Sequence, residues 1–177
     1  MPVATASQTI GPFWHLIEDP DWADLLRFGA GGDTLEDTIV LTGVVTDGAG
    51  QPVTDAAIEI WQTSPATTDI FPGYGRSSTD ATGRFHFRTL MPGPVASLGN
   101  AQQAPHVAIA IFARGLLTGL TTRLYFEGEP LNETDPVLSL IEDPARRRTL
   151  IAHAASPRVW TLDIRLQGDN ETVFMEL

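Results

Sequence analysis

At 177 residues the chain is the size of one domain, and 42% apolar against 19% charged residues is the balance of an ordinary globular core. Eleven basic side chains against 22 acidic ones leave a formal charge of −11, a field that repels phosphate backbones and anionic lipid, so neither nucleic acid nor a membrane is an expected partner. The chain has no cysteine, which excludes disulfides, thiolate metal sites and cysteine nucleophiles; with no signal-like stretch after Met1, a cytoplasmic protein is expected.

Residues 1–38 are irregular and rich in apolar side chains, with at most a turn or two of helix in 19–28. Such a segment is expected to pack onto something, a partner chain above all. Residues 39–62 read as two strands: Ile39, Leu41 and Val44 in the first, then Ala56, Ile58 and Ile60 alternating with Ala57, Glu59 and Trp61, the period of two that a half-buried strand requires. A long polar connection is expected over 63–82. Arg84 to Arg88 alternate again, Pro92-Gly93-Pro94 ends that strand, and 95–104 form a second loop.

His106 to Ala113 are apolar on both faces, as in a central strand, and Leu120 to Phe126 form another. Asp135-Pro136 and Asp143-Pro144 each set a capping carboxylate before a proline, predicting short helices over 136–142 and 144–154. Trp160, Leu162, Ile164 and Leu166 alternate in a further strand, and Thr172 to Leu177 are expected to form the last. Many short strands, Gly/Pro turns and little helix make an all-β chain, a single-domain β-sandwich over 1–177.

Candidate chemistry is sparse. A nucleophile elbow, a phosphate-binding glycine loop and HExxH are all missing. His15, His86, His106 and His153 form no closely spaced pair, and Tyr74 and Tyr125 are the only tyrosines. His106, at the head of the most apolar strand, is either a metal ligand or a hydrogen-bonded strand end. Arg123 is either salt-bridged within the fold or free to grip a carboxylate with its planar fork. Arg146-Arg147-Arg148 read as a solvated helix face, and Glu59 as a charge-paired glutamate.

Six segments in order resemble the intradiol ring-cleavage dioxygenases: SQTIGPFW, LTGVVTDGAGQPVTDAAIEIWQ, GRSSTDATGRFHFRTLMPGP, APHVAIAIFARG, LTTRLYFEGEP and WTLDIRLQGDNETVF. They run from Ser7 to near the C-terminus. The SQT-GP opening, the T-LYFEG-P block and the Q-G-ETVF ending are most similar to the iron-free alpha chain of the two-subunit members that cleave protocatechuate.

The resemblance implies a fold of the intradiol and transthyretin-like sandwich type. It also implies a ferric ion, Fe(3+), held by two tyrosines and two histidines in catalytic members. Here the histidine block reads Ala104-Pro105-His106-Val107-Ala108-Ile109. His106 keeps one ligand position as a remnant, and Ala108 replaces the other. Val95 follows Gly93-Pro94 where a ligand tyrosine is expected, none stands near Asp69, and Gln103 replaces an arginine. A hard ferric ion needs the missing phenolates.

The resemblance thus implies no catalytic or metal-ligating residue in this chain and an iron carried by a beta subunit. Thr9, Gly11, Pro12 and Arg123 would border the substrate, a small aromatic acid cleaved with dioxygen to 3-carboxy-cis,cis-muconate. Two other readings stand beside it: an iron-free transthyretin-like binding or scaffold module, and a stand-alone dioxygenase with unexpected ligands.

Overall fold

The computed structural model describes residues 9–11, 13–29 and 37–175. Eleven strands follow in chain order: β1 (Thr38–Thr46), β2 (Ala57–Trp61), β3 (Tyr74–Ser78), β4 (Arg84–Leu90), β5 (Val95–Ala96), β6 (Gln102–Gln103), β7 (His106–Phe112), β8 (Leu120–Phe126), β9 (Ile151–Ser156), β10 (Val159–Thr161) and β11 (Ile164–Arg165). β5 and β6 make a small hairpin; the other nine share one sheet. β4 and β1 lie at one end, β10 and β11 run parallel to β1 on its other side, and β9, β8, β7, β2 and β3 follow. β9 joins the layers, antiparallel to β10 and parallel to β8.

The layers close on a core whose side chains come from alternate strand positions. Ile39, Leu41 and Val45 of β1 and Phe85 and Phe87 of β4 face Ile58 and Ile60 of β2, Val107, Ile109 and Ile111 of β7, and Leu124 and Phe126 of β8. Each such side chain contributes roughly 1.5–3 kcal/mol by leaving water. Val44, expected inward, faces out. Gly43 takes the buried step between Leu41 and Val45, and a Cβ there would stand 1.9 Å from the Leu162 carbonyl oxygen. β1 therefore passes the β10–β11 junction at backbone contact, which only glycine allows.

The N-terminal segment packs on its own sheet. A 3-10 turn at Pro20–Ala23 is capped by the Asp19 carboxylate, and Ala23, Leu25 and Leu26 are buried. Leu25 N–H donates to the Arg88 carbonyl at 2.9 Å, and Arg88 meets the Asp24 carboxylate at 3.1 Å. On β3, Gly75 leaves room for Leu25, whose Cδ1 a Cβ would approach to 2.4 Å. The segment thus reaches both β3 and β4.

Several expectations need correcting. β3 lies inside the supposed 63–82 connection. Its residues, Tyr-Gly-Arg-Ser-Ser, carry no apolar alternation because the strand packs through glycine and serine, Gly75 and Ser77 being its buried positions. The helix expected over 136–142 is only a 3-10 turn at Leu138–Leu140, and the one expected over 144–154 stops at Arg148 as α1 (Pro144–Arg148). Its cap is as foreseen: the Asp143 carboxylate accepts from Ala145 N–H at 2.8 Å. Arg146 and Arg147 do not form a solvated face. They donate at 2.8 Å to the Glu171 and Ile141 carbonyls respectively.

The strand expected from Trp160 is split at Leu162-Asp163, where the Asp163 carboxylate accepts Val44 N–H at 2.9 Å in place of a ladder bond. Residues 172–175 form no strand. Side-chain hydroxyls tie them down: Thr122 Oγ1 donates to the Val173 carbonyl at 2.7 Å and Thr121 Oγ1 to that of Met175 at 2.5 Å. Among the described residues no helix is long and apolar enough to cross a membrane.

Candidate functional site

Three strands set the geometry around Arg123. On β8 it stands directly opposite Ala108 of β7, and Ala108 in turn is opposite Trp61 of β2. Two residues along, Tyr125 is opposite His106, with ring centroids 5.6 Å apart. The β5–β6 hairpin lies beside them, pairing Val95 with Gln103. Arg123 Nη1 donates to Gln103 Oε1 at 2.7 Å and to the Tyr125 hydroxyl at 3.3 Å. The fold therefore gathers His106, Ala108, Val95, Gln103 and Arg123 into one neighbourhood.

Below this cluster lies Asp135, wholly buried. Its carboxylate accepts the backbone N–H groups of Ala104, Val137 and Leu138, each at 2.8 Å, and the Tyr125 hydroxyl at 3.2 Å. Asp-Pro signalled only a cap in the sequence; the inward role depends on β6 and β8 arriving from elsewhere in the chain. Burial first, with the Asp135 charge adding to it against Arg123, pushes the Tyr125 phenol up to about 12. His106 is shifted down, chiefly by burial and further by the Arg123 charge, against the opposing pull of its bond to Ala104. Its Nδ1 lies 2.8 Å from the Ala104 carbonyl, which makes Nδ1 the protonated nitrogen of the neutral ring.

Arg123 is half-buried, yet it enters none of the ion pairs among the described residues. Of the two readings of Arg123, the salt bridge is not seen among the described residues; its partners there are neutral. Arg123 is one of the residues around a hollow of about 260 Å³ that Trp61, Ala108, Ala110, Thr121 and Met175 also line. Trp61 is 53% exposed and rests on Tyr74, centroid to centroid 4.5 Å. A guanidinium with no acidic partner among the described residues, on a residue that also borders apolar and aromatic walls, suits a flat ring bearing a carboxylate.

Gly11 sits at φ +71° with its N–H 3.4 Å from Thr9 Oγ1, and Pro12 falls outside the described residues. No hydrogen bond or ion pair among the described residues links Thr9 or Gly11 to Arg123. What anchors this stretch is Trp14, buried against the guanidinium of Arg76, 4.9 Å above its ring. Arg76 also lies 5.1 Å from Trp22 and donates through Nε to Glu59 at 2.7 Å. Glu59 is thus charge-paired as expected; the clamp around Arg76 left no trace in the sequence pattern.

The sequence matches the family described as Dioxygenase over residues 11–168. It is 37% identical to a protocatechuate 3,4-dioxygenase alpha chain of Pseudomonas putida, over 97% of this chain and 96% of that one. The chain belongs to the intradiol dioxygenase family. A protocatechuate 3,4-dioxygenase beta chain of Burkholderia cepacia is 34% identical over 67% of this chain and 57% of its own. Among solved structures, the dioxygenase domain of a carbohydrate-binding fusion from Streptomyces sp. SirexAA-E superposes with a TM-score of 0.61 at 30% identity, covering 96% of this chain and 99% of that one.

The family is iron-dependent, and the residues here do not fit a ferric ion. Among the described residues no three His, Asp or Glu side chains group to hold a metal. Val95 and Ala108 offer no donor atom. Tyr125, the tyrosine nearest His106, keeps its proton to about 12 and spends its hydroxyl on Asp135 and Arg123. A half-buried guanidinium beside them adds positive charge where a trivalent cation would need negative donors.

Proposed function

We propose that the chain serves, as a single domain, as the alpha subunit of an alpha/beta protocatechuate 3,4-dioxygenase, with the Fe(3+) on the beta subunit. The overall reaction is intradiol cleavage of protocatechuate with O2 to 3-carboxy-cis,cis-muconate. The observation that carries this reading is Arg123: a half-buried guanidinium without a carboxylate partner among the described residues, in a setting that lacks metal donors. In a chain of net charge −11, such a group concentrates positive charge where an anionic substrate needs it.

In this reading Arg123 binds the substrate carboxylate, while Thr9, Gly11 and Pro12 border the ring from the N-terminal segment. His106 is a remnant of a ligand position. The segment docks on the beta subunit through side chains it leaves in water: Phe13, Leu16 and Ile17, close together in the chain, are each more than 65% exposed, apolar groups of the kind that partners cover.

Co-expression with a beta chain, then sizing, iron analysis and oxygen uptake with protocatechuate, tests the assignment. A joint complex carrying iron and cleaving protocatechuate is expected. In that complex Arg123→Ala raises KM roughly tenfold or more, the scale of one charge-assisted bond, with iron content unchanged. A chain that forms no complex, as a free-standing binding module would not, counts against the assignment. So does a chain that binds iron and cleaves protocatechuate alone.

A further inference from the structure

We infer that Gln103 and Tyr125, the latter locked by Asp135, are positioning residues that fix the Arg123 guanidinium for a carboxylate. This rests on the assignment of Arg123 to the substrate carboxylate. An arginine has several rotatable bonds, and a free one loses much of its binding energy to ordering. Here the ordering is done beforehand. Gln103 Oε1 takes Nη1 at 2.7 Å, and the Tyr125 hydroxyl takes the same nitrogen at 3.3 Å.

Both partners are themselves fixed. Gln103 lies on β6 within the hairpin with β5. Tyr125 is fully buried and donates to Asp135, whose carboxylate is itself held by three backbone N–H groups. Both are neutral acceptors, so they hold the guanidinium without cancelling its charge. A carboxylate in either place would pair with Arg123 and compete with the ligand. Only Nη1 is engaged among the described residues, which leaves the rest of the planar fork for an anion.

The test is kinetic, in the iron-containing alpha/beta complex, with Gln103→Leu, Tyr125→Phe and Arg123→Ala. Inhibition by 4-hydroxybenzoate and by phenol, the same ring without its carboxylate, is read alongside. Gln103→Leu and Tyr125→Phe are each expected to raise KM and the 4-hydroxybenzoate inhibition constant roughly three- to tenfold. kcat, iron content and inhibition by phenol stay within about twofold. If Arg123→Ala raises KM and neither other variant does, the positioning role is overturned and the Arg123 assignment stands. If Arg123→Ala leaves KM unchanged, both fall. If the phenol constant rises as much as that of 4-hydroxybenzoate, the effect is general disruption and the inference fails. Gln103 is half-exposed, so its variant decides the matter even where Tyr125→Phe fails to fold.

Discussion

Ala108 and Arg123 face each other directly across adjacent strands. A position where relatives are expected to place an imidazole ligand therefore holds a methyl group, with a guanidinium next to it. Replacing Ala108 with histidine restores one donor but leaves that charge in place. The Ala108→His chain, purified alone, is expected to stay iron-free by metal analysis and to show no visible phenolate-to-iron absorption. Stoichiometric iron in this single variant would mean that the neighbourhood is not hostile to the metal.

The Arg76 clamp gives a stability prediction. Arg76→Ala strips Glu59 of its partner while its side chain stays only 16% exposed, and removes the cation from between Trp14 and Trp22. Partial exposure tempers the cost of the orphaned carboxylate, so a loss of about 2–3 kcal/mol is expected. Urea unfolding followed by tryptophan fluorescence measures it. A midpoint within experimental error of the parent's would show that the clamp is ornamental.

Gly43→Ala tests the crossing of β1 over the β10–β11 junction. The added methyl meets a backbone carbonyl at 1.9 Å and the Phe85 ring at 2.9 Å, neither of which yields cheaply. Destabilisation of roughly 3 kcal/mol or more is expected, at the upper end for overpacked sites. Gly50→Ala serves as the contrast. No atom lies within 4 Å of its added methyl, and only the positive φ of 78° resists the change, so its loss in thermal melts is expected to be smaller.

Two groups bend the pH–stability curve at opposite ends. His106 titrates below its ordinary 6.5 in the folded chain, so the unfolded chain binds the proton more readily. The folded state is favoured fully above pH 6.5 and loses that advantage as pH falls through the lowered folded value. Tyr125 is raised from 10.0 to about 12; its contribution is complete below pH 10 and disappears as pH climbs towards 12. His106→Gln is expected to flatten the acid limb and Tyr125→Phe the alkaline limb of denaturation midpoints plotted against pH. Unaltered slopes in both variants would assign the curvature to other groups.

Much of the sandwich was legible because burial alternates where strands are covered on one face: Ile58, Ile60, Phe85 and Phe87 announced themselves. β3 did not, since a strand that packs through glycine and serine has no hydrophobic period to read. The C-terminal stretch misled for the opposite reason. Thr172 to Phe174 has strand-like residues, but Thr121, Thr122 and Thr149 offer hydroxyls that substitute for a ladder. At the site, Arg123 and His106 stood out as isolated charged or titratable residues among apolar ones. Gln103, Tyr125 and Asp135 were visible only as types. Their joint role depends on β6, β8 and the turn after residue 135 converging, and no local spacing encodes that.

The pairing of β1 with β10 and β11 also has a temporal meaning. Residues 38–46 leave the ribosome more than a hundred positions before 159–165, so throughout most of synthesis one flank of β1 carries unpaired amides and carbonyls. Such a flank invites pairing with other nascent chains. Chains halted before Val159 would leave it bare, so premature termination should yield insoluble product rather than a smaller folded domain.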